Sequence, residues 1–440
     1  MFPYSVERRL SDLGAYQRQA RRQPVLWILL LALLVHVGTI VHGYKNSANS
    51  SEATWSALRT ADIELSAAIH ANDWPGWLRW VCDLESEDEA LARTVKGFEA
   101  LEQKGLLDKQ GLEVATNLAE LVNHEAKPRS EEEWRTTFQE GIWTWERMEL
   151  TQQYRGDLPL WLNDELLLYE QLNQKNAHRI AVQSFVWWGV LIIGLPFLPS
   201  ALRCFQTKQH VAVSPVVRAW EPSMVTVRYL AVELTVSCFV WFLYRSIPIA
   251  CWEKFWGPTL ILSDASWRIG GPLLFGVVLV IRWRHLWRLL GMHLKPVVKP
   301  ILGMMSLAVI FEYGLFFLLE DFTFSENLTS LSSDYEGWWG YLYMMVSGVI
   351  LAPLFEEFVF RGILFQSYLR RFGFWMAMLF STLFFVFIHF YGIYGSLSVS
   401  LFGIGACALY RATGSLWTAI LFHALTNGLI FVTMWAIYYS

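Results

Sequence analysis

The sequence predicts an all-α polytopic membrane protein with about nine transmembrane helices and a helical extracytoplasmic insert between spans 1 and 2. Composition is the first reason: 54% of the residues are hydrophobic and only 17% charged, and mean hydropathy is positive. The second is that apolar runs of about 18 residues or more recur along the chain, long enough to cross a bilayer as helices. The third is tryptophan. There are 23, and many stand at the ends of apolar runs (Trp187, Trp188, Trp283, Trp287, Trp338, Trp339), where an indole favours the headgroup layer. The lipid bilayer is therefore the first expected partner. No nucleic-acid signature is present, and the net charge of −4 mixes basic loops with an acidic insert, so it says little about other partners.

Taken in order, residues 1–24 form a basic segment carrying Arg8, Arg9, Arg18, Arg21 and Arg22, expected to stay cytoplasmic. Pro24 opens the first span, residues 25–43. A long polar lead and the lack of a small-residue cleavage site favour an uncleaved anchor over a signal peptide. Residues 44–178 form the insert, in which apolar residues recur every three or four positions around 100–107 and 112–122, as amphipathic helices require. Its acidic clusters at 85–89 and 131–133 read as solvated helix faces. Residues 179–334 hold spans 2–5, with apolar runs near 180–199, 226–247, 268–283 and 300–319. Residues 335–440 hold spans 6–9, with runs near 338–356, 373–391, 393–410 and 415–437. Arg203, Lys208 and Arg218, then Arg282 to Lys299, then Arg361, Arg370 and Arg371, then Arg411 fall on alternate loops, and the acidic stretch 320–336 falls opposite. The positive-inside bias then places the N-terminus inside, in a multi-pass protein of the cell (inner) membrane.

Five cysteines are scattered without metal-ligand spacing, so neither a disulfide framework nor a cysteine metal site is expected. The chemistry lies elsewhere. Glu356-Glu357-Phe-Val-Phe-Arg361 places two carboxylates and a guanidinium in apolar sequence, and an intramembrane acid is a functional-site candidate by default. On a helix Glu357 and Arg361 are four apart with the acid first, the favourable order for a pair, while Glu356 points about 100° away. Pro353 removes a backbone donor and favours a small wet cavity beside Glu356. A pair that only fixes helix packing is the rival reading on these residues alone. His389 follows Phe385 by four residues, and Asn427 follows His423 by four, each pair sharing a helix face. A carboxylate and a neutral imidazole can activate water, and a second imidazole with an amide N–H can hold the oxyanion formed when that water attacks an amide. Glu233 and Glu312, also in apolar runs, read as interhelical hydrogen-bonding groups, with substrate contact as the alternative.

Glu356-Glu357-x-x-x-Arg361, Phe385-x-x-x-His389 and His423-x-x-x-Asn427, in that order and each in an apolar helix, resemble the three motifs of the CPBP intramembrane proteases, the CAAX-protease and bacteriocin-processing (Abi) family. The resemblance covers roughly residues 335–440 and implies a core of four helices with the site between them. It implies that Glu356 activates water with His389, that His423 and Asn427 form the oxyanion hole, and that Glu357, Arg361 and Phe385 support the site. It implies no cofactor, with zinc held by Glu356, His389 and His423 as the alternative. The expected activity is an intramembrane endopeptidase of glutamic type acting near a terminus of a membrane-associated or exported protein or peptide. Prenylated CAAX-like termini, leader peptides and C-terminal sorting tails are all compatible substrates. A non-catalytic membrane scaffold or bacteriocin-immunity-type protein that binds membrane peptides is the second reading. A transporter is the third, weakened by the lack of paired broken helices.

Overall fold

The computed structural model describes residues 50–103, 105–123, 129–140, 143–154, 163–207, 232, 287, 290–319, 337–387, 389, 391 and 393–438. Every regular element among them is helical. The basic segment 1–24, the spans expected at 25–43, 226–247 and 268–283, the acidic stretch 320–336 and Glu233 lie outside the described residues.

The insert is built from α1 (Ser50–Ala71), α2 (Gly76–Val81), α3 (Glu87–Gln103), α4 (Lys109–Val122), α5 (Glu131–Glu140) and α6 (Thr144–Tyr154). Leu58, Ala61, Leu65 and Ala68 form the inner stripe of α1 and meet Phe98 and Leu101 of α3, Leu118 and Leu121 of α4, and Trp145 and Met148 of α6. These are the three- and four-residue spacings that the amphipathic pattern predicts. Gly105 ends α3 with φ of 65°, and the Leu106 N–H returns to the Leu101 carbonyl at 3.0 Å, a left-handed cap that only glycine adopts cheaply. The acidic clusters have a sharper role than solvated faces. The Ser86 N–H and hydroxyl donate to Glu89 Oε2 at 3.0 and 2.7 Å, and those of Ser130 donate to Glu133 Oε2 at 2.6 and 2.7 Å. Each serine–glutamate pair caps a helix N-terminus, where negative charge also meets the positive end of the helix dipole.

One helix, α7 (Asn163–Gly194), packs against α1 in the insert and continues without a break into the apolar segment. The domain boundary predicted between residues 178 and 179 therefore falls inside a helix. Polarity changes there, but no glycine or proline interrupts the chain before Gly189, so nothing stops the helix. A single 3₁₀ turn, Leu195–Phe197, leads into α8 (Leu198–Gln206). The rest of the described bundle comprises α9 (Val298–Leu318), α10 (Gly337–Tyr343), α11 (Ala352–Glu357), α12 (Gln366–Phe387, two helical stretches meeting at a kink at Gly373), α13 (Ile393–Thr413) and α14 (Leu416–Tyr438). Wide-turn π segments, Met344–Leu351 and Phe358–Phe365, join α10 to α11 and α11 to α12.

Among the described residues, five helices are long and apolar enough to cross a membrane: Tyr169–Gln206, Val298–Leu318, Gly340–Leu369, Ile393–Thr413 and Leu416–Ala436. They coincide with five of the predicted runs, and the run at 373–391 appears as the shorter apolar helix Phe372–Val386. Arg361 departs from its place in the loop-charge pattern. It is fully buried within a helix, so it does not contribute to a charged membrane surface.

Helix α9 sits between α7 and α8 on one side and α13 and α14 on the other. Two glycines let it approach. A Cβ on Gly303 would lie 2.2 Å from the Phe197 carbonyl oxygen, and one on Gly194 would lie 2.3 Å from that of Leu302. Close backbone contact of this kind is what holds helices together in lipid, where burial from water no longer drives association. Gly303→Ala is expected to force the crossing apart and cost about 1–3 kcal/mol, read as a lower unfolding midpoint in detergent; an unchanged midpoint would refute the close crossing. Polar contacts bridge the same helices, with Ser306 Oγ donating to the Leu191 carbonyl at 3.0 Å. Tyr394 donates to Glu312 at 2.9 Å, and Ser398 also donates to it. Glu312 is therefore an interhelical hydrogen-bonding group.

Candidate active site

The continuous rod from Gly337 to Phe365 carries the first motif between its two π segments. A π segment has a wider turn than an α-helix and re-aims the side chains beside it, and such segments concentrate at functional sites. Pro353 stands in the first turn of α11, directly after the first of them. Its missing N–H explains why regular α-helical bonding is interrupted there.

The two adjacent glutamates separate as helical geometry requires. Glu357 points inward and is fully buried, and its Oε1 accepts from Arg361 Nη1 at 2.7 Å and lies 2.9 Å from His423 Nδ1. Arg361 is fully buried too. Its guanidinium carbon sits 4.4 Å from the Phe385 ring centroid and 5.2 Å from that of Phe402, so the aromatic faces cover the part of the cation that no carboxylate reaches. Gly403 makes room for it, since a Cβ there would lie 3.3 Å from Arg361 Nη2. Charge is thus neutralised locally, as burial in hydrocarbon requires.

Glu356 points the other way. Its Oε2 lies 3.8 Å from His389 Nε2 and 4.0 Å from His423 Nε2, and its side chain and that of His389 keep 17% and 19% of their exposure. That residual exposure separates the two carboxylates: Glu357 is sealed in, whereas Glu356 can meet water and a substrate. Each histidine has its far nitrogen engaged. His389 Nδ1 lies 2.6 Å from the Phe385 carbonyl, an acceptor, so Nδ1 carries the proton in the neutral ring and Nε2 turns a lone pair toward Glu356. His423 Nδ1 likewise donates to the Glu357 carboxylate. Phe385 supports both rings, with centroids 4.5 Å from His389 and 5.9 Å from His423.

Asn427 stands one turn beyond His423 on α14. Its Nδ2 donates to the Gly348 carbonyl in the first π segment at 2.6 Å, so the side chain ties α14 to the wide turn. An amide carries two N–H groups, and this bond uses one. The structure therefore brings Glu356, His389 and His423 to one point, with Asn427 held against the backbone on the adjoining turn. Sequence reasoning missed Phe402, Gly403 and the Gly348 carbonyl. Phe402 lies tilted against the His423 ring with centroids 4.4 Å apart, but a phenylalanine and two glycines in apolar helices carry no polar signal by which to pick them out.

Donors on a tetrahedral zinc at about 2.0–2.2 Å lie roughly 3.3–3.5 Å apart. Glu356 Oε2 stands farther than that from both imidazole nitrogens, at 3.8 and 4.0 Å. Among the described residues, no group of three or more His, Cys, Asp and Glu is placed to hold a metal ion.

Residues 338–429 match the family model for the type II CAAX prenyl endopeptidase Rce1-like domain. No curated protein and no solved structure matches the chain. The matched stretch contains every member of the cluster, from Glu356 to Asn427. The chain thus carries helices long and apolar enough to span a membrane and, at residues 338–429, a domain that matches the Rce1-like model of the CPBP/CAAX protease family.

Proposed function

We propose that the chain is an intramembrane endopeptidase that hydrolyses a peptide bond near a terminus of a membrane-associated or exported protein, using water activated by Glu356 and His389. The observation that carries this reading is the convergence of Glu356 Oε2 with His389 Nε2 at 3.8 Å and His423 Nε2 at 4.0 Å. A water about 2.8 Å from both Glu356 Oε2 and His389 Nε2 donates a hydrogen bond to each. Glu356 takes one proton as the water oxygen bonds to the scissile carbonyl carbon, and the other proton stays on that oxygen. The carbonyl electron pair moves onto oxygen, and the oxyanion is held by the second Asn427 N–H and by His423 in its doubly protonated form, with Nδ1–H on Glu357 and Nε2–H toward the substrate. When the C–N bond breaks, the proton held by Glu356 passes to the leaving amine, and carboxylate and imidazole return to their starting states. Glu357 and Arg361 act as positioning residues, since neither reaches the reacting atoms.

The matched family is named for CAAX prenyl endopeptidases, which supports a lipid-anchored or membrane-associated substrate terminus. The insert, read as extracytoplasmic with a cytoplasmic N-terminus, favours exported substrates such as leader peptides or C-terminal sorting tails. Mass spectrometry of membrane and secreted peptide termini, comparing cells carrying the wild type with cells carrying His389→Ala at equal expression, tests this. Termini that disappear only with the variant name the substrate; identical termini in the two strains would leave a peptide-binding scaffold. A metal-free mechanism further expects cleavage by the purified protein to stay within about twofold after exhaustive chelation, because general acid–base groups alone supply the rate. Loss on chelation with recovery on zinc addition would instead give Glu356, His389 and His423 the role of ligands.

A further inference from the structure

A second site lies at the other end of the bundle. Gln171, Gln174, Lys175, His178, Arg179 and Val182, all on one side of α7, line with Trp435 of α14 an open surface depression of about 390 Å³, a size that takes a small polar headgroup. Helix α14 starts at Leu416, so Trp435 stands about 28 Å along its axis, near the far edge of a hydrocarbon layer about 30 Å thick. His423 stands roughly 10 Å from the same start, so this depression and the glutamate–histidine cluster occupy different levels of the helix. Three basic side chains and two amides face the space, and among the described residues no carboxylate lines it. The Arg179 guanidinium lies 5.4 Å from the Trp435 ring centroid, and Arg59 of α1 is near enough to act electrostatically on Arg179. His178 is braced at its back by His70 and Trp74, with ring centroids 6.0 and 6.4 Å away. Below the polar rim the same face of α7 continues as an exposed apolar stripe, with Val182, Phe185 and Ile192 at 47%, 53% and 62% exposure.

We infer that this depression binds the phosphate of an anionic phospholipid from the leaflet on the side of the insert. A phosphate accepts charge-assisted hydrogen bonds from Lys175 and Arg179 and neutral ones from Gln171 and Gln174. The indole sits at headgroup height, where amphipathic rings belong, and the Val182–Phe185–Ile192 stripe gives the acyl chains a surface to lie along. A basic pocket between transmembrane helices with an apolar track beneath it suits an anionic lipid. A free phosphate or an acidic peptide would use the basic rim and leave the stripe without a function.

The test uses the full-length protein, delipidated in detergent and titrated by native mass spectrometry with dioleoylphosphatidylglycerol, dioleoylphosphatidylcholine or inorganic phosphate. Phosphatidylglycerol is expected to bind about tenfold more tightly than phosphatidylcholine, and Lys175→Gln/Arg179→Gln to remove that preference. Lys175→Glu alone, at an exposed position that does not threaten folding, is expected to weaken phosphatidylglycerol at least about threefold. Equal affinity for the two lipids, or phosphatidylglycerol binding untouched by Lys175→Glu, would overturn the site. Displacement of phosphatidylglycerol by inorganic phosphate at comparable concentration would overturn the lipid assignment in favour of the free anion.

Discussion

Glu356→Gln is expected to lower peptide-bond cleavage by about 10²–10⁴-fold while leaving the unfolding midpoint of the protein unchanged. The substitution keeps size and shape and removes the capacity to accept a proton from water, the step in which a positioned base contributes a factor of that order. Stability should hold because Glu356 keeps 17% of its side-chain exposure and the fully buried ion pair uses Glu357. The measurement is the single-turnover rate of the purified variant on a terminus identified by mass spectrometry, beside its thermal midpoint in the same detergent. A rate within tenfold of wild type would remove Glu356 from the role of base. Glu357→Gln, by contrast, should lower rate and midpoint together, because that carboxylate holds both Arg361 and His423.

Arg361→Met should produce the largest loss of stability, about 3–5 kcal/mol, because removing one member of a buried ion pair leaves the other charge without compensation in a low-dielectric interior. Neither partner has any exposure, so solvent cannot relieve the remaining charge. The double variant Glu357→Gln/Arg361→Met is expected to recover a substantial part of the loss, since no lone charge is then buried. Unfolding of the single and double variants in mixed micelles reads this directly. A single variant within about 1 kcal/mol of wild type would mean that the pair is dispensable to the fold.

Spacing made the centre of the site legible before any coordinates. The four-residue interval from Glu357 to Arg361 states that the two meet on a helix, and the same interval in Phe385-x-x-x-His389 and His423-x-x-x-Asn427 states which faces converge. The gene product's class was also legible, because three ordered motifs in apolar helices form a specific signal that the family match at residues 338–429 shares. What spacing does not carry is the path of the backbone between those residues. The π segments on either side of Ala352–Glu357 come from a lost proline donor and from packing around Arg361, and neither is a periodicity. The Gly348 carbonyl as the partner of Asn427 is a main-chain contact, and main-chain atoms are alike at every position. Arg361 shows how a simple count misleads: placed just beyond an apolar run it resembles a loop cation, yet the acid four residues earlier and two aromatic rings take it wholly inside. Helix α7 runs through the 178/179 boundary for a related reason, since a change from polar to apolar side chains alters what surrounds a helix and not whether it continues.

That unbroken α7 has a mechanical meaning. Two modules joined by a flexible linker sample a broad range of separations, and the effective concentration of one at the other falls as the linker lengthens. A helix running from insert to membrane without a glycine or proline before Gly189 behaves instead as a stiff spacer of about 1.5 Å per residue. Anything held on the insert is presented at one fixed height and azimuth above the bundle. Reach is then set by geometry and not by chain statistics, and bonds from Ser184 and Trp188 to the Cys82 and Val81 carbonyls hold the insert against the same helix.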